Sequence, residues 1–528
     1  MAKKNKNNTF YIIGFIILLI VLIVVAFNVL HKKNNKATSS SGNPLIPPLP
    51  TFSPPSNPLI LSINVLVSFI RSKISIDVSK LDPQNMNSIK SVDWGDGSGI
   101  TTNFSHQYST PGTYQIKIYG NLNSLDFTYF DVGENKLRYY SIIYTIGIKD
   151  FGSSYNTLQS INFNVCTDVT NIPLSLPPNV TKLSFGGKEI VDGFFRGVKN
   201  INCDIRKLDI SHITDMSSMF FGCENFNQDI SAWNVSNVTD MNSMFERCEK
   251  FNQPIGNWDV SKVQNMSNMF HGTNFNQPIG KWNMVSVTDT SNMFSGCTAF
   301  NQPLESWDGL SNVQNMADMF SNCTSFNQYI GNWDVSNVTN MNGMFNACEK
   351  FNQDISGWNV SKVQNMSGMF YYCPSFNQPL NWGALVSNVT DMTYMFYGCE
   401  KFNQDISGWN VSNVTDMYGM FQDCKSFNQD LNSWDVSKVN NMGPMFDGCK
   451  IFNQPLDNWN VSKVQNMRNM FNGCTNFNQS LCSWTKIVNK DVLNGDTYLA
   501  NQVKICGNST SPGPLKSNFS RNSLDMYY

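Results

Sequence analysis

A period constrains this chain more than any other feature. The stretch Trp233-Asn-Val-Ser-Asn-Val-Thr-Asp-Met-Asn-Ser-Met-Phe-Glu-Arg-Cys-Glu-Lys-Phe-Asn-Gln-Pro-Ile-Gly-Asn257 ends where Trp258 begins it again. Tryptophan recurs at 233, 258, 282, 307, 333, 358, 382, 409, 434, 459 and 484, an interval of 24 to 27 residues. Met-Phe pairs keep step from Met219-Phe220 to Met470-Phe471, which makes eleven copies. A unit this small buries its apolar face only against its neighbours, so a repeat solenoid is expected over 211–484.

Each copy divides into an inner and an outer set. Val235, Val238, Met241, Met244, Phe245, Cys248, Phe251, Ile255 and Trp258 define the inward side. The Phe-Asn-Gln-x-Ile stretch is short and often carries proline at its fourth place, as in Pro254, which suits a brief strand or turn edge. Asp-Met-x-x-Met-Phe has the i, i+3, i+4 spacing of a short helical or 3₁₀ turn. The fold class is therefore leucine-rich-repeat-like, mainly short strands joined by such turns. Asn252 and Gln253 recur as Asn-Gln in every copy. They read as ladders that hydrogen-bond backbone groups at each turn, or as ligand contacts. Glu246-Arg247 is replaced by Ser295-Gly296 and by Tyr371-Tyr372 in other copies. Such positions form the one face that differs from turn to turn, and selectivity belongs there. With turns ~4.8 Å apart, eleven would extend about 50 Å.

Ten of the fourteen cysteines share one place in the repeat: 223, 248, 297, 323, 348, 373, 399, 424, 449 and 474, with Thr273 completing the column. Spacing near 25 residues matches no compact metal-ligand pattern. Two readings are open: a column of small buried apolar residues, or a ladder of disulfides between neighbouring turns. Cys482 and Cys506 lie beyond the column, Cys166 and Cys203 before it, and these are the better disulfide candidates in an oxidising compartment.

Charge narrows the function. Charged residues make up 14% of the 528 residues and the net charge is −2, against roughly 25% charged in ordinary soluble domains. No basic block runs through the repeats, so no nucleic-acid partner is expected. Four scattered histidines, and no Gly-x-Ser-x-Gly or phosphate-loop motif, give no expectation of an enzyme or a cofactor.

In chain order, residues 1–9 form a polar tail. From Phe10 to Leu30 runs an apolar stretch broken only at Asn28. It is long enough to span a bilayer, has no small-residue cleavage site, and is expected to be a transmembrane anchor. Lysines 3, 4 and 6 precede it, and 32, 33 and 36 follow, so the positive-inside rule nearly ties. A single-pass protein with its C-terminal part outside is the expectation. Residues 31–58 are rich in Pro, Ser and Asn and read as a stalk. Residues 59–133 alternate as strands, 134–210 hold irregular leucine-rich-repeat turns, 485–507 cap the array, and 508–528 form a Ser/Asn/Pro-bearing tail.

Val92-Asp93-Trp94-Gly95-Asp96-Gly97, followed by His106-Gln-Tyr108-Ser-Thr-Pro111-Gly112-Thr113-Tyr114, resembles the PKD domain. That is an immunoglobulin-like β-sandwich of surface proteins, and the resemblance implies a small sandwich over 59–133. Asp93 and Asp96 lack the alternating ligands of a calcium loop and read as turn formers. The pattern Val-Thr-x-Met-x-x-Met-Phe-x-x-Cys-x-x-Phe-Asn-Gln-x-Ile-x-x-Trp across 211–484 is similar to the BspA-like leucine-rich-repeat surface proteins, a family also seen in mycoplasma lipoproteins. This resemblance implies surface display with adhesion or host interaction, and brings no catalytic residues. The chain departs from the lipoprotein members in having an apolar anchor instead of a lipidated cysteine.

The leading expectation is a membrane-anchored protein whose solenoid binds a protein or glycan. The alternative is a coat or fibre component that self-associates through the solenoid. Asn234-Val-Ser, Asn237-Val-Thr, Asn337-Val-Thr and Asn388-Val-Thr are glycosylation sequons and also the turn chemistry of the repeat itself.

Overall fold

The computed structural model describes residues 57–506, apart from 66–72, 77–88, 123, 127–129, 133–144, 157, 164–167, 182–183, 188–189, 308, 485–491 and 493–495. The tail 1–9, the apolar run 10–30, the stalk up to residue 56, Cys166 and the tail 508–528 lie outside the described residues. Among the described residues no helix is long and apolar enough to cross a membrane. The chain divides after Ser53, and residues 54–528 form a single unit that holds every described element.

Alternation in Leu59–Val65 turns Leu59, Leu61 and Ile63 into a buried face. This strand pairs antiparallel with Gly112–Gly120 on one side and with Thr145–Asp150 on the other. It is the centre of a seven-stranded sheet that ends, through parallel pairing, at Asp168–Asn171 and Asn200–Ile201. A three-stranded sheet joins Ser105–Gln107, Lys73–Ile76 and Phe130–Val132. The boundary expected at 133 is thus crossed by backbone hydrogen bonds. Left alone, the second edge of Leu59–Val65 would expose a row of unpaired donors and acceptors, and Thr145–Asp150 fills it.

Trp94 is fully buried under this sheet. The Tyr108 hydroxyl donates to its carbonyl at 2.8 Å, and Tyr108 stacks on Tyr114 with centroids 4.1 Å apart. Gly95 has φ 76°, and a Cβ there would lie 2.3 Å from the Gln115 carbonyl oxygen, so this turn admits no side chain. Asp93 and Asp96 accept the N–H groups of Gly95 and Ser98 at 2.9 and 3.0 Å, which closes the two tight turns.

The repeated units obey a different rule. Between the first methionine and the cysteine of a copy, backbone donors go alternately to two destinations. Met241, Ser243, Phe245 and Arg247 donate to Asn265, Ser267, Met269 and His271 of the next copy at 2.7–3.0 Å. Met244, Glu246 and Cys248 donate three residues back, to Met241, Ser243 and Phe245, at 2.9–3.2 Å. Single-residue parallel bridges run copy to copy from Asp215 through Asp240 and Asn265 to Asn466.

The helical or 3₁₀ turn expected at Asp-Met-x-x-Met-Phe does not form. A helix would spend each N–H inside its own copy, whereas here alternate ones leave it. The backbone allows this through two left-handed residues four apart, Ser243 at φ 53° and Arg247 at φ 58°. Each stands third in a four-residue turn, where Gly, Asn, Asp and Ser fit best. Phe-Asn-Gln-x-Ile likewise forms no regular strand. Among the described residues of the array, 3₁₀ segments occur at Leu310–Asn312 and Gly383–Val386. Both sit in the two tryptophan intervals longer than 25 residues, where extra chain must be taken up.

The last copy meets the helix Thr497–Cys506. In an internal copy Phe446 donates its N–H to Met470 of the next, at 2.9 Å. For Phe471 the acceptor is Asp496 Oδ2, at 3.0 Å. Asp496 Oδ1 accepts from Tyr498 and Leu499, which caps the helix N-terminus. The Tyr498 ring covers Phe477 at 5.0 Å, and Cys482 is joined to Cys506 by a disulfide.

Two substitutions probe these contacts. Asp496→Ala leaves the buried Phe471 N–H without an acceptor and should destabilise this end by about 2–3 kcal/mol, read as an earlier urea transition. Ala347→Gly relieves a left-handed alanine (φ 55°) and should raise stability by about 1 kcal/mol, read as a later urea midpoint.

Candidate binding surface

The residues that recur in every copy are used up inside the array. Trp233 and Trp258 donate their indole N–H to the carbonyls of Ile205 and Ile230 in the preceding copy, at 3.0 and 3.3 Å. An unpaired buried carbonyl costs about 1–3 kcal/mol, which explains why phenylalanine never stands in for tryptophan here. Met244 is fully buried. Phe245 stacks between Phe220 and Phe270 at 5.6 and 5.8 Å and lies 3.9 Å from Phe251.

Asn252 gives its N–H to Asn227 Oδ1 at 3.0 Å, and its own Oδ1 accepts from the Asn276 N–H at 2.9 Å. Gln253 Nε2 donates to Asn227 O and Oδ1 at 3.0 and 2.9 Å. Of the sequon side chains, Asn237, Asn337 and Asn388 donate to the Ser211, Ser311 and Ser361 carbonyls, whereas Asn234 Oδ1 accepts from Ser236 of its own copy.

The cysteine column consists of free thiols. Cys248 Sγ donates to the Phe220 carbonyl at 2.8 Å, and Cys348 and Cys424 repeat this with Phe320 and Phe396. Burial pushes these thiols far above the ordinary range, Cys297 to about 12. Thr273, the one hydroxyl in the column, donates to Phe270 of its own copy instead. Cys203, outside the column, is also a free buried thiol.

Inside, the copies differ at few places, such as Thr273 and Thr290; most of the variation lies at four other positions. Four positions per copy lie outside the apolar set, the two after the first methionine, such as Asn242 and Ser243, and the two after the Met-Phe pair, such as Glu246 and Arg247; small residues there are buried by their neighbours, and larger ones reach the surface. In three successive copies tyrosine occupies all four in turn: Tyr371 and Tyr372, then Tyr394 and Tyr397, then Tyr418. Tyr371 stacks on Tyr397 at 4.6 Å, and Tyr394 meets Tyr371 and Tyr418 edge-on at 5.9 and 5.1 Å. Tyr372 is 53% exposed. A depression of about 210 Å³ beside them is lined by Asn342, Asn346, Ser367, Thr393, Tyr371 and Tyr394, over the glycines 343 and 368. Partial burial pushes the Tyr371 and Tyr394 phenols up, Tyr394 further through its bond to Tyr418.

Sequence reading reached Tyr371 and Tyr372 but missed Tyr394, Tyr397 and Tyr418. The signal was available. Aligning copies on Met-x-x-Met-Phe-x-x-Cys and reading the four intervening columns places all five side by side. Among the described residues no group of three or more His, Cys, Asp or Glu could hold a metal ion.

These features define a repeat protein with a uniform interior and one varied face. The family described as "Mycoplasma protein of unknown function, DUF285" matches residues 190–307, 291–385 and 381–484, more than half of the chain. The chain belongs to this family. No curated protein and no solved structure matches it.

Because the column thiols are buried and protonated, iodoacetamide at pH 8 should leave all ten unmodified in the native protein and alkylate them in urea, as read by peptide mass spectrometry.

Proposed function

We propose that this is a membrane-anchored surface-display protein whose repeats form a BspA-like, leucine-rich-repeat-type solenoid that binds a protein or glycan partner. The observation that carries the reading is the contrast between a fully committed interior and a single strip of variable, partly exposed side chains centred on Tyr371, Tyr394 and Tyr418. A strip of that kind, on a scaffold whose recurring polar groups are already paired, is suited to recognition.

The apolar run 10–30 supplies the anchor, residues 31–58 the stalk, and a PKD-like sandwich beginning at residue 59 the spacer beneath the repeats. Trp94 and Tyr108 support the PKD-like assignment through their buried hydrogen bond, and Gly95 through its close approach to the Gln115 backbone. Growth end to end into a fibre has less support, since Asp496 and Tyr498 occupy the place where a following copy would bond to Phe471 and Phe477.

Labelling intact cells or particles with a membrane-impermeant amine reagent tests the reading. Modification of lysines between Lys182 and Lys504 is the expected result. Protection of all of them until the membrane is dissolved would reject surface display.

A further inference from the structure

The four outward positions of the array contain an internal precedent for what its tyrosines hold. Phe221 stands in the column that later carries Tyr371 and Tyr397, the residue directly after the Met-Phe pair. Two guanidinium groups cover the Phe221 ring. Arg196, from the preceding turn, lies 4.2 Å from its centroid, and Arg247, from the following copy, lies 5.9 Å away. Both distances are those of cation–π contacts. The chain therefore saturates its first outward aromatic with its own arginines.

The same positions change further along. Between Arg247 and Arg468 they contain no lysine or arginine. They do contain carboxylates on either side of the tyrosines: Asp318, two copies before Tyr371, and Asp423, in the copy that bears Tyr418. A ring cluster of negative quadrupoles bordered by acidic groups is complementary to a guanidinium or ammonium ion.

Backbone conformation supplies an independent observation. Tyr372 and Tyr394 occupy left-handed positions at φ 56° and 54°, where neighbouring copies carry Gly368, Gly398 and Gly419. A bulky side chain there costs about 1–2 kcal/mol relative to glycine. Arg247, which covers Phe221, is held at the same kind of position, at φ 58°. The array thus accepts the unfavourable conformation both where a cation meets a ring and where the tyrosines gather.

We infer that the cluster Tyr371, Tyr372, Tyr394 and Tyr418 is the recognition site, and that it receives arginine or lysine side chains of a basic segment on a protein partner. The composition of the strip, Tyr with Ser, Gly and Asn, is that of protein-binding loops in antibodies. This inference rests on the binding role proposed above and names its partner class.

The test uses the full chain in mild detergent and a fluorescent peptide of alternating arginine and glycine, with a citrulline-for-arginine version as its neutral isostere. The arginine peptide should bind at least tenfold more tightly than the citrulline one, and added salt should weaken it. The double variant Tyr371→Leu/Tyr394→Leu should lose about tenfold, while Tyr329→Leu, an exposed tyrosine outside the four positions, should change nothing. Equal binding of the two peptides overturns the inference without needing any variant. So does arginine-peptide binding that survives the double substitution, or displacement of the peptide by a neutral oligosaccharide at the same site. If the peptide fails while attachment of the protein to its natural surface still depends on Tyr371 and Tyr394, the cation is rejected and the binding role stands. Loss of both, with surface labelling negative, removes the binding role as well.

Discussion

The repeated part of this molecule depends on one arrangement: every second backbone N–H between methionine and cysteine is surrendered to the next copy. No copy satisfies its own backbone. Neighbours must therefore sit at hydrogen-bond distance, and the other contacts are set by that spacing. The phenylalanine rings of successive Met-Phe pairs fall 5.5–5.9 Å apart in register, so they stack face to face. Thiols, indoles and amides each meet a carbonyl of the preceding copy. Interior side chains thus have two duties, filling space and returning a donor, which leaves little freedom in their choice.

Much of this was legible before any coordinates. The inward set, the copy number and the role of Asn252 and Gln253 as rungs derive from periodicity and from the need to pair buried polar groups. Local backbone was read less well. Met241, Met244 and Phe245 have helical spacing, yet the same spacing is produced by successive turns whose third residues are left-handed. Only the recurrence of Ser, Asn, Asp and Gly at 218, 243, 268, 318 and 343 hinted at this. The strand pairing across residue 133 was hidden for a different reason. A strand's second edge is filled by whichever segment reaches it, and no alternation within Leu59–Val65 announces Thr145–Asp150. Among the tyrosines, the pair adjacent in sequence was visible. The three brought beside them by the stacking of copies emerge only when the copies are aligned column against column, since they are distant along the chain.

The division between inside and outside also explains why this surface can be both varied and rigid. Its four positions per copy are flanked by Met241, Met244, Phe245 and Cys248, whose bonds hold the backbone regardless of what projects from it. Tyr371, Tyr394 and Tyr418 are thereby presented on a prepared frame, and little ordering is left for the moment of contact.

Because the interfaces between copies share one backbone pattern, the array has no privileged length. A recombination event that removes or adds one whole period rejoins donors to equivalent acceptors, with Asp496 and Tyr498 closing whichever copy comes last. An exchange out of phase would leave half of its N–H groups facing nothing. Inheritance can therefore lengthen, shorten or reshuffle the outward pattern in units of one period, moving the tyrosines along the stack while the interior chemistry stays unaltered.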